Sequence, residues 1–170
     1  MSIVAYTEVI RVNPKDADAY IYRGFARYEL GDKQSAIADY NQALKINPNY
    51  TDAYHNRGNV RSELGDKESA IADYTQALKI NPNFAEAYNG RGATRYELGD
   101  KESAIADYTQ AIKINPNYAN AYYNRGLTRY DLGDRQGAIN DFQQAAKLYQ
   151  QQGKNEDYQD ALNRIRELQE

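Results

Sequence analysis

The chain has no cysteine, no tryptophan and a single histidine in 170 residues. Without cysteine, disulfides, thiolate metal sites and cysteine nucleophiles are excluded, and the redox compartment cannot be read from the sequence. With His55 as the only histidine, a site built from paired histidines is excluded too. We therefore predict neither a metal site nor a cofactor.

Long apolar runs and a strong charge of one sign are also missing. No apolar stretch approaches the roughly 18 residues that a membrane-spanning helix needs, and residues 1–12 lack the basic start, apolar core and cleavage site of a signal peptide. The 24 acidic and 21 basic residues leave a net charge of −3, which gives no case for nucleic acid or a membrane surface as partner. The compartment stays open, with the cytoplasm favoured.

Proline is scarce, and its placement is informative. The four prolines are evenly spaced along the chain, at Pro14, Pro48, Pro82 and Pro116. Two glycine series and one alanine series keep the same interval: Gly24, Gly58, Gly92, Gly126; Gly31, Gly65, Gly99, Gly133; Ala36, Ala70, Ala104, Ala138. A fixed period of about 34 residues is typical of repeat arrays, in which each unit buries its apolar side against its neighbours.

One repeat shows the expected local structure. Residues 52–64 carry small and apolar side chains with helical spacing, and residues 67–80 do so again. Between them, Gly65 favours a left-handed helix end and Asp66 is a good N-cap. Asn81 precedes a proline, which disfavours helical geometry and ends the second helix. Each repeat is therefore predicted to be an antiparallel helix pair, named here the A helix and the B helix.

These residues together resemble the tetratricopeptide repeat family over essentially the whole chain. An aromatic residue opens each A helix (Tyr20, Tyr54, Tyr88, Tyr122), a glycine follows it, and an aromatic residue lies between alanines in each B helix (Tyr40, Tyr74, Tyr108, Phe142). The family more often has tryptophan at the first of these positions. The resemblance implies an all-α fold: a right-handed superhelical solenoid of antiparallel helix pairs, or α-α superhelix.

The period also divides the chain. Ile3, Tyr6 and Ile10 precede Ile37, Tyr40 and Leu44 by one full period, so residues 1–12 are interpreted as the B helix of a truncated repeat. Repeats 1, 2 and 3 are predicted at 13–46, 47–80 and 81–114. Repeat 4 has no closing proline and is predicted at 115–152 with an extended B helix. A C-terminal capping helix is predicted within 153–170, with its amphipathic pattern at 157–169, because a terminal repeat needs a polar cover.

Arginine replaces the leucine and tyrosine that the family usually has in the middle of the A helix. The two positions are four residues apart and share one helix face, which the resemblance places against the B helix. Buried guanidinium groups need partners, and one aspartate recurs in each B helix. The predicted structural ion pairs are Arg23 and Arg27 with Asp39, Arg57 and Arg61 with Asp73, Arg91 and Arg95 with Asp107, and Arg125 and Arg129 with Asp141. The alternative is that the arginine heads extend to solvent.

No catalytic residues are predicted. The serines that recur at the start of the B helices fit a role in helix initiation, and a triad would require His55 to meet one of them together with an acid. The chain is therefore predicted not to be an enzyme.

In the resembled family the A helices line a concave groove that receives peptides. The matching positions are Asp18, Ile21, Tyr22, Phe25, Tyr28, Asp52, His55, Asn56, Asn59, Glu86, Asn89, Ala93, Tyr96, Asn120, Tyr123, Asn124, Leu127 and Tyr130. The middle positions differ from repeat to repeat, whereas the B helices of repeats 2 and 3 are almost identical. A constant framework with one variable face favours a selective binding surface, and neutral drift on an exposed face is the alternative.

The predicted partner is a protein or peptide, basic or amphipathic, because the groove rims are rich in acids and its floor mixes aromatic and aliphatic side chains with asparagine. Some family members grip chaperone C-termini with a clamp of lysine, asparagine and arginine. Asn56 and Asn59 match part of it, but Ile21 and Glu86 stand where positive charge is needed, so no such clamp is predicted.

The predicted function is a non-catalytic protein–protein interaction scaffold. One alternative is self-association, a homo-oligomer formed through the uncovered N-terminal half repeat. Another is a structural or targeting module of a larger multidomain protein.

Overall fold

The computed structural model describes residues 2–169, and all regular structure in that range is α-helical. The helices found there are α1 (Ile3–Val12), α2 (Ala17–Glu29), α3 (Lys33–Ile46), α4 (Thr51–Glu63), α5 (Lys67–Ile80), α6 (Ala85–Glu97), α7 (Lys101–Ile114), α8 (Ala119–Asp131), α9 (Arg135–Gln151) and α10 (Asn155–Glu167).

The chain forms two compact units. Met1–Pro82 contains α1 to α5, and Asn83–Glu170 contains α6 to α10. In the first unit α2 packs on α3 and α4 on α5, and in the second α6 packs on α7 and α8 on α9. The A helices are thus α2, α4, α6 and α8, and the B helices α3, α5, α7 and α9.

The turn within each pair depends on one glycine. Gly65 follows α4 with φ +84°, a conformation that side chains with a Cβ rarely adopt. There the N–H of Gly65 donates to the carbonyl of Ser62 at 3.0 Å, and the N–H of Asp66 donates to the carbonyl of Arg61 at 2.9 Å. These bonds satisfy carbonyls at the end of α4 and reverse the chain so that α5 can run back along it.

A glycine in the middle of each A helix sets how closely the pair packs. A Cβ built on Gly92 of α6 would lie 2.8 Å from Cε1 of Tyr108 on α7, closer than real Cβ contacts. The Tyr108 ring is fully buried there, and Ala104 and Ala111 are buried on the same helix. The glycine therefore makes room for an aromatic ring at the centre of the pair, which offsets its cost of about 1 kcal/mol to helix propensity.

Helix α10 covers the last pair. Ala161 is buried in a cluster with Tyr149 of α9, and Leu168, just after α10, packs on Phe142. The helical pattern was predicted from residue 157, and the helix begins earlier, at Asn155, because Gly153 already reverses the chain with φ +71°. The capping helix itself is present.

Candidate functional site

A buried aspartate held by two arginines lies within each helix pair. Asp107 on α7 is only 3% exposed. Arg91 donates to it from Nη2 at 2.7 Å and from Nε at 3.0 Å, and Arg95 donates from Nη1 at 2.7 Å. The other pairs repeat this arrangement with Arg23, Arg27 and Asp39, with Arg57, Arg61 and Asp73, and with Arg125, Arg129 and Asp141. Charge-assisted, bidentate bonds of this kind are the strong ones in proteins, so these groups fix the packing of A on B.

The first arginine of a cluster also reaches beyond its own pair at Arg23, Arg57 and Arg125. Arg57 Nη1 donates to Asn41 Oδ1 on the preceding B helix at 2.5 Å, and Arg125 Nη1 donates to Thr109 Oγ1 at 3.0 Å. The Arg57 guanidinium lies 5.5 Å from the centre of the Tyr54 ring. These contacts were not predicted from the sequence, although both join residues at the same separation along the chain. Guanidinium groups engaged in this way are structural and are not available to a ligand.

The predicted groove residues all lie on A helices, with different exposure. Exposed are Asp18, Tyr22, Phe25, Asp52, Glu86, Asn120 and Tyr130. Partly buried are Tyr28, His55, Asn56, Asn59, Asn89, Ala93, Tyr96, Tyr123, Asn124 and Leu127. The remaining one, Ile21, is buried.

For Ile21 the prediction of a groove contact was wrong. It is 5% exposed and packs in the core of the first unit with Tyr40 and Val60. His55 and Asn89 occupy the equivalent position and stay partly exposed, because a polar side chain gains little by entering an apolar core. An isoleucine at the same position is stabilised by burial in the core, where it cannot contact a peptide.

The capping helix covers part of the last A helix. Tyr123 packs against Phe142 and Tyr149 and donates its hydroxyl to Asp160 of α10. Leu127 packs in the same cluster as Ile165 and Leu168. Of the residues predicted on α8, Tyr130 therefore remains the most accessible aromatic side chain, with 54% of its surface exposed.

Two groove asparagines have their amide groups held by tyrosines of the B helices. Tyr74 donates its hydroxyl to Asn59 Oδ1 at 2.7 Å, and Tyr149 donates to Asn120 Oδ1 at 2.9 Å. Because the amide oxygen is occupied in each case, the NH₂ group is the part left for a partner. An amide held in this way can donate to a backbone carbonyl of a peptide.

Tyrosine hydroxyls join successive A helices through carboxylates. Within the first unit Tyr28 donates to Glu63, whose other oxygen lies 2.9 Å from Lys33 Nζ. Within the second unit Tyr96 donates to Asp131 at 2.8 Å, and Lys101 Nζ lies 3.2 Å from the same oxygen. Both acids are rim positions of the predicted groove, whose rims are rich in acids. The structure shows that Glu63 and Asp131 are partly neutralised, which the sequence could have indicated because both contacts span the same interval along the chain.

The same contacts shift the pKa values of these groups. The hydrogen bond to Glu63, with burial and nearby carboxylates adding to it, raises the pKa of Tyr28 to about 12. For Asp131, the hydrogen bond from Tyr96 is the main cause that lowers the pKa; burial opposes it, and Lys101 lowers the pKa further. The ionised carboxylate of Asp131 therefore stabilises the folded chain at pH values above the pKa that it has in the unfolded chain. This contribution is lost as the pH falls through the lower pKa that it has in the folded chain.

Replacing Tyr96 with phenylalanine is expected to raise the pKa of Asp131 towards its ordinary value, because the largest cause of the downward shift is removed. Carboxyl-carbon NMR titration measures it, and the variant should also lose less stability on acidification. Tyr130→Phe is the matched control, since its exposed hydroxyl has no carboxylate partner among the described residues. An unchanged titration midpoint for Asp131 in Tyr96→Phe would contradict this account of the site.

Comparison with known families agrees with the repeated helix pairs of the structure. A model described as TPR repeat matches residues 26–65, 58–99 and 92–133, and one described as Tetratricopeptide repeat matches residues 119–152. The chain belongs to the tetratricopeptide repeat family. The expected fold class, an all-α solenoid of antiparallel helix pairs, is thereby confirmed.

Solved TPR structures resemble most of the chain. The crystal structure of MamA has a TM-score of 0.81 at 25% identity and covers 89% of each chain. YrrB, described as a TPR protein with an unusual peptide-binding site, has a TM-score of 0.74 at 21% identity and covers 97% of this chain and 92% of its own. The first TPR of Spaghetti (RPAP3), bound to the HSP90 peptide SRMEEVD, has a TM-score of 0.68 at 25% identity and covers 69% and 93%. Among curated proteins, none matches this chain.

TPR proteins generally act as non-catalytic scaffolds for protein–protein interaction, and the described part of this chain holds no cluster of three or more potential metal ligands. None of the helices in residues 2–169 is both long and apolar enough to cross a membrane. The arrangement of the A helices is suited to hydrogen bonding and apolar contact, so binding is the chemistry that it can perform.

Proposed function

We propose that this TPR chain is a non-catalytic scaffold that binds a basic or amphipathic peptide on the exposed face of its A helices. The observation that carries the proposal is the pairing of half-exposed aromatic side chains with fixed asparagine amides on that face. Phe25 and Tyr130 keep 50% and 54% of their surface exposed, although rings of this size are usually buried. Asn59 and Asn120 also lie on A helices, and the tyrosine that holds each amide oxygen leaves the NH₂ group free to donate.

The aromatic rings and the asparagine amides suit the side chains and the backbone of a peptide, respectively. Aromatic rings offer large contact areas for side chains, and amide donors bind the carbonyls of the peptide backbone. A protein of similar fold, the first TPR of Spaghetti, has been solved with a peptide bound. That peptide, SRMEEVD, is acidic at its carboxyl end. Because this chain has Glu86 where the clamp for such an end would need positive charge, we do not expect it to bind the same sequence.

The charge preference follows from the acids that remain open. Glu29, Asp52 and Glu86 are exposed, and none has a hydrogen-bond or ion-pair partner among residues 2–169. Glu63 and Asp131 are already engaged by tyrosine and lysine, so they contribute less. The remaining carboxylates favour lysine and arginine on a partner. Because these charges are exposed, added salt should weaken the attraction.

A panel of displayed peptides is expected to be enriched in lysine and arginine after selection on this chain. Asp52→Asn combined with Glu86→Gln should reduce that enrichment, because two of the three open carboxylates are removed. The matched control is Glu68→Gln combined with Glu102→Gln, which makes the same change in net charge at exposed positions on the B helices. Selection of acidic peptides, or an equal effect of both double variants, would count against the proposed site.

A further inference from the structure

The first helix has an apolar side that nothing in the described chain covers. Helix α1 has no buried residue, whereas α3, which matches it one repeat later, buries Ala36, Asp39, Tyr40, Ala43 and Leu44. Two hollows flank α1: one of about 670 Å³ against α2, and one of about 450 Å³ beside Ala5, Val9 and Val12. Val4 and Leu30, which line the larger hollow, are each 77% exposed.

The repeat itself shows what kind of element fits such a side. The matching side of α3 is covered by α2, where a Cβ on Gly24 would lie 2.8 Å from Cε1 of Tyr40. Tyr6 is the counterpart of Tyr40, and at present its ring stacks on Tyr22 with centroids 5.6 Å apart. The side of α1 therefore fits an amphipathic helix that has glycine or alanine facing Tyr6.

The apolar side of α1 lacks the charge that the matching sides of α3, α5, α7 and α9 have. The residue that matches Asp39, Asp73, Asp107 and Asp141 is Ala5, which has no carboxylate. An A helix of this chain placed on α1 would bring two arginines to a site without an acceptor. Removing one partner of a buried ion pair is strongly destabilising, so α1 selects against the A helices of a second copy. The outward side of α10, with Gln159, Asn163 and Arg166 exposed, is polar and is no better suited.

A carboxylate on α2 indicates where a helix docked on α1 should end. Glu63 and Asp131 each receive a tyrosine hydroxyl from the preceding A helix and a lysine from the start of the B helix that follows it. Glu29 occupies the equivalent position on α2 and lines the larger hollow, and it has no such donors among residues 2–169. A helix docked on α1 could supply them near its carboxyl end.

We propose that α1 and α2 dock an amphipathic helix of a partner protein. Its inner face has alanine or glycine against Tyr6 and aliphatic side chains instead of arginine against Ala5, and its carboxyl end has a tyrosine or lysine that binds Glu29. This site goes beyond the proposed binding face of the A helices, although Tyr22, Phe25 and Glu29 border both.

Two fluorescent peptides test the proposal by fluorescence anisotropy. The first copies residues 17–33 of this chain, which contain both arginines, Tyr28 and Lys33. The second is the same peptide with Arg23→Leu and Arg27→Leu. The leucine peptide should bind the unmodified chain at least about tenfold more tightly than the arginine peptide, equivalent to about 1.4 kcal/mol.

Introducing a carboxylate at position 5 should reverse the order of the two peptide affinities. In the Ala5→Asp variant the arginine peptide should become the tighter ligand, because the missing carboxylate is restored. Ala5→Asn, which is polar but uncharged, is the control and should not produce this reversal. Glu29→Gln should weaken the leucine peptide several-fold, whereas Glu68→Gln on α5 should leave it unchanged.

Three outcomes would overturn the inference: equal binding of both peptides, binding of neither, or concentration-dependent dimers of the unmodified chain that Ala5→Asp abolishes. The last outcome would identify a second copy as the occupant. The peptide selection on the A-helix face remains a separate test, because it is read from Asp52 and Glu86, which none of these variants changes.

Discussion

Replacing Asp107 with alanine is expected to destabilise the chain by about 3–5 kcal/mol. The variant leaves Arg91 and Arg95 without a carboxylate in the space between α6 and α7, where Asp107 accepts three hydrogen bonds from them. Two guanidinium groups would then have to regain water by opening the pair. Since folded domains are stable by only about 5–15 kcal/mol, the loss should be large enough to unfold part of the chain.

Urea unfolding followed by far-UV circular dichroism measures this loss. Asp107→Asn retains one oxygen acceptor and should lose less than the alanine variant. Glu102→Ala, an exposed position in the first turn of the same helix, should change the free energy of unfolding by no more than about 0.5 kcal/mol. A loss below about 1 kcal/mol for Asp107→Ala would mean that the arginines hydrate freely and that the cluster does not hold the pair together.

Truncating Tyr108 to alanine is expected to cost a similar amount, about 3–5 kcal/mol, because a fully buried ring is replaced by a cavity. The ring packs on the backbone of α6 at Gly92, so the two helices lose their closest contact. Thermal and urea unfolding both measure the effect. Tyr108→Phe is the control that the chain itself offers, since Phe142 fills the same position in the fourth repeat, and it should cost about 1 kcal/mol through the lost hydroxyl.

A double-mutant cycle tests the contact directly. Gly92→Ala alone should destabilise despite its better helix propensity, because its Cβ would lie 2.8 Å from Cε1 of Tyr108. Combined with Tyr108→Ala, the same substitution should become neutral or stabilising, since the ring that it would contact is gone. Additive effects of the two substitutions would show that Gly92 is retained for another reason.

The framework of the fold could be predicted from the sequence because its determinants are local and repeated. Gly65 and Asp66 predicted a turn that the backbone adopts, and Asn81 ends α5 immediately before its proline. The arginines and aspartates could be matched because they recur at constant intervals in neighbouring helices. Each of these features depends on contacts within one helix pair.

The surface was less predictable because it depends on contacts between pairs. Whether Ile21 is buried depends on the apolar residues of the next A helix, including Val60, and not on its own repeat alone. Whether Tyr123 is open depends on α10, which lies beyond the period. The partial neutralisation of Glu63 by Tyr28 and Lys33 likewise requires the spacing between A helices. A single repeat does not specify that spacing.

The buried ionic clusters are each contained within one helix pair. Every buried aspartate takes both arginines from its own helix pair, and the bonds that Arg57 and Arg125 make to earlier helices end on a neutral amide and a neutral hydroxyl. A whole repeat could therefore be duplicated or deleted in a gene without stranding a charge in the interior. Arrays of this type can change length in evolution at little energetic penalty, and engineers could lengthen this one in the same way.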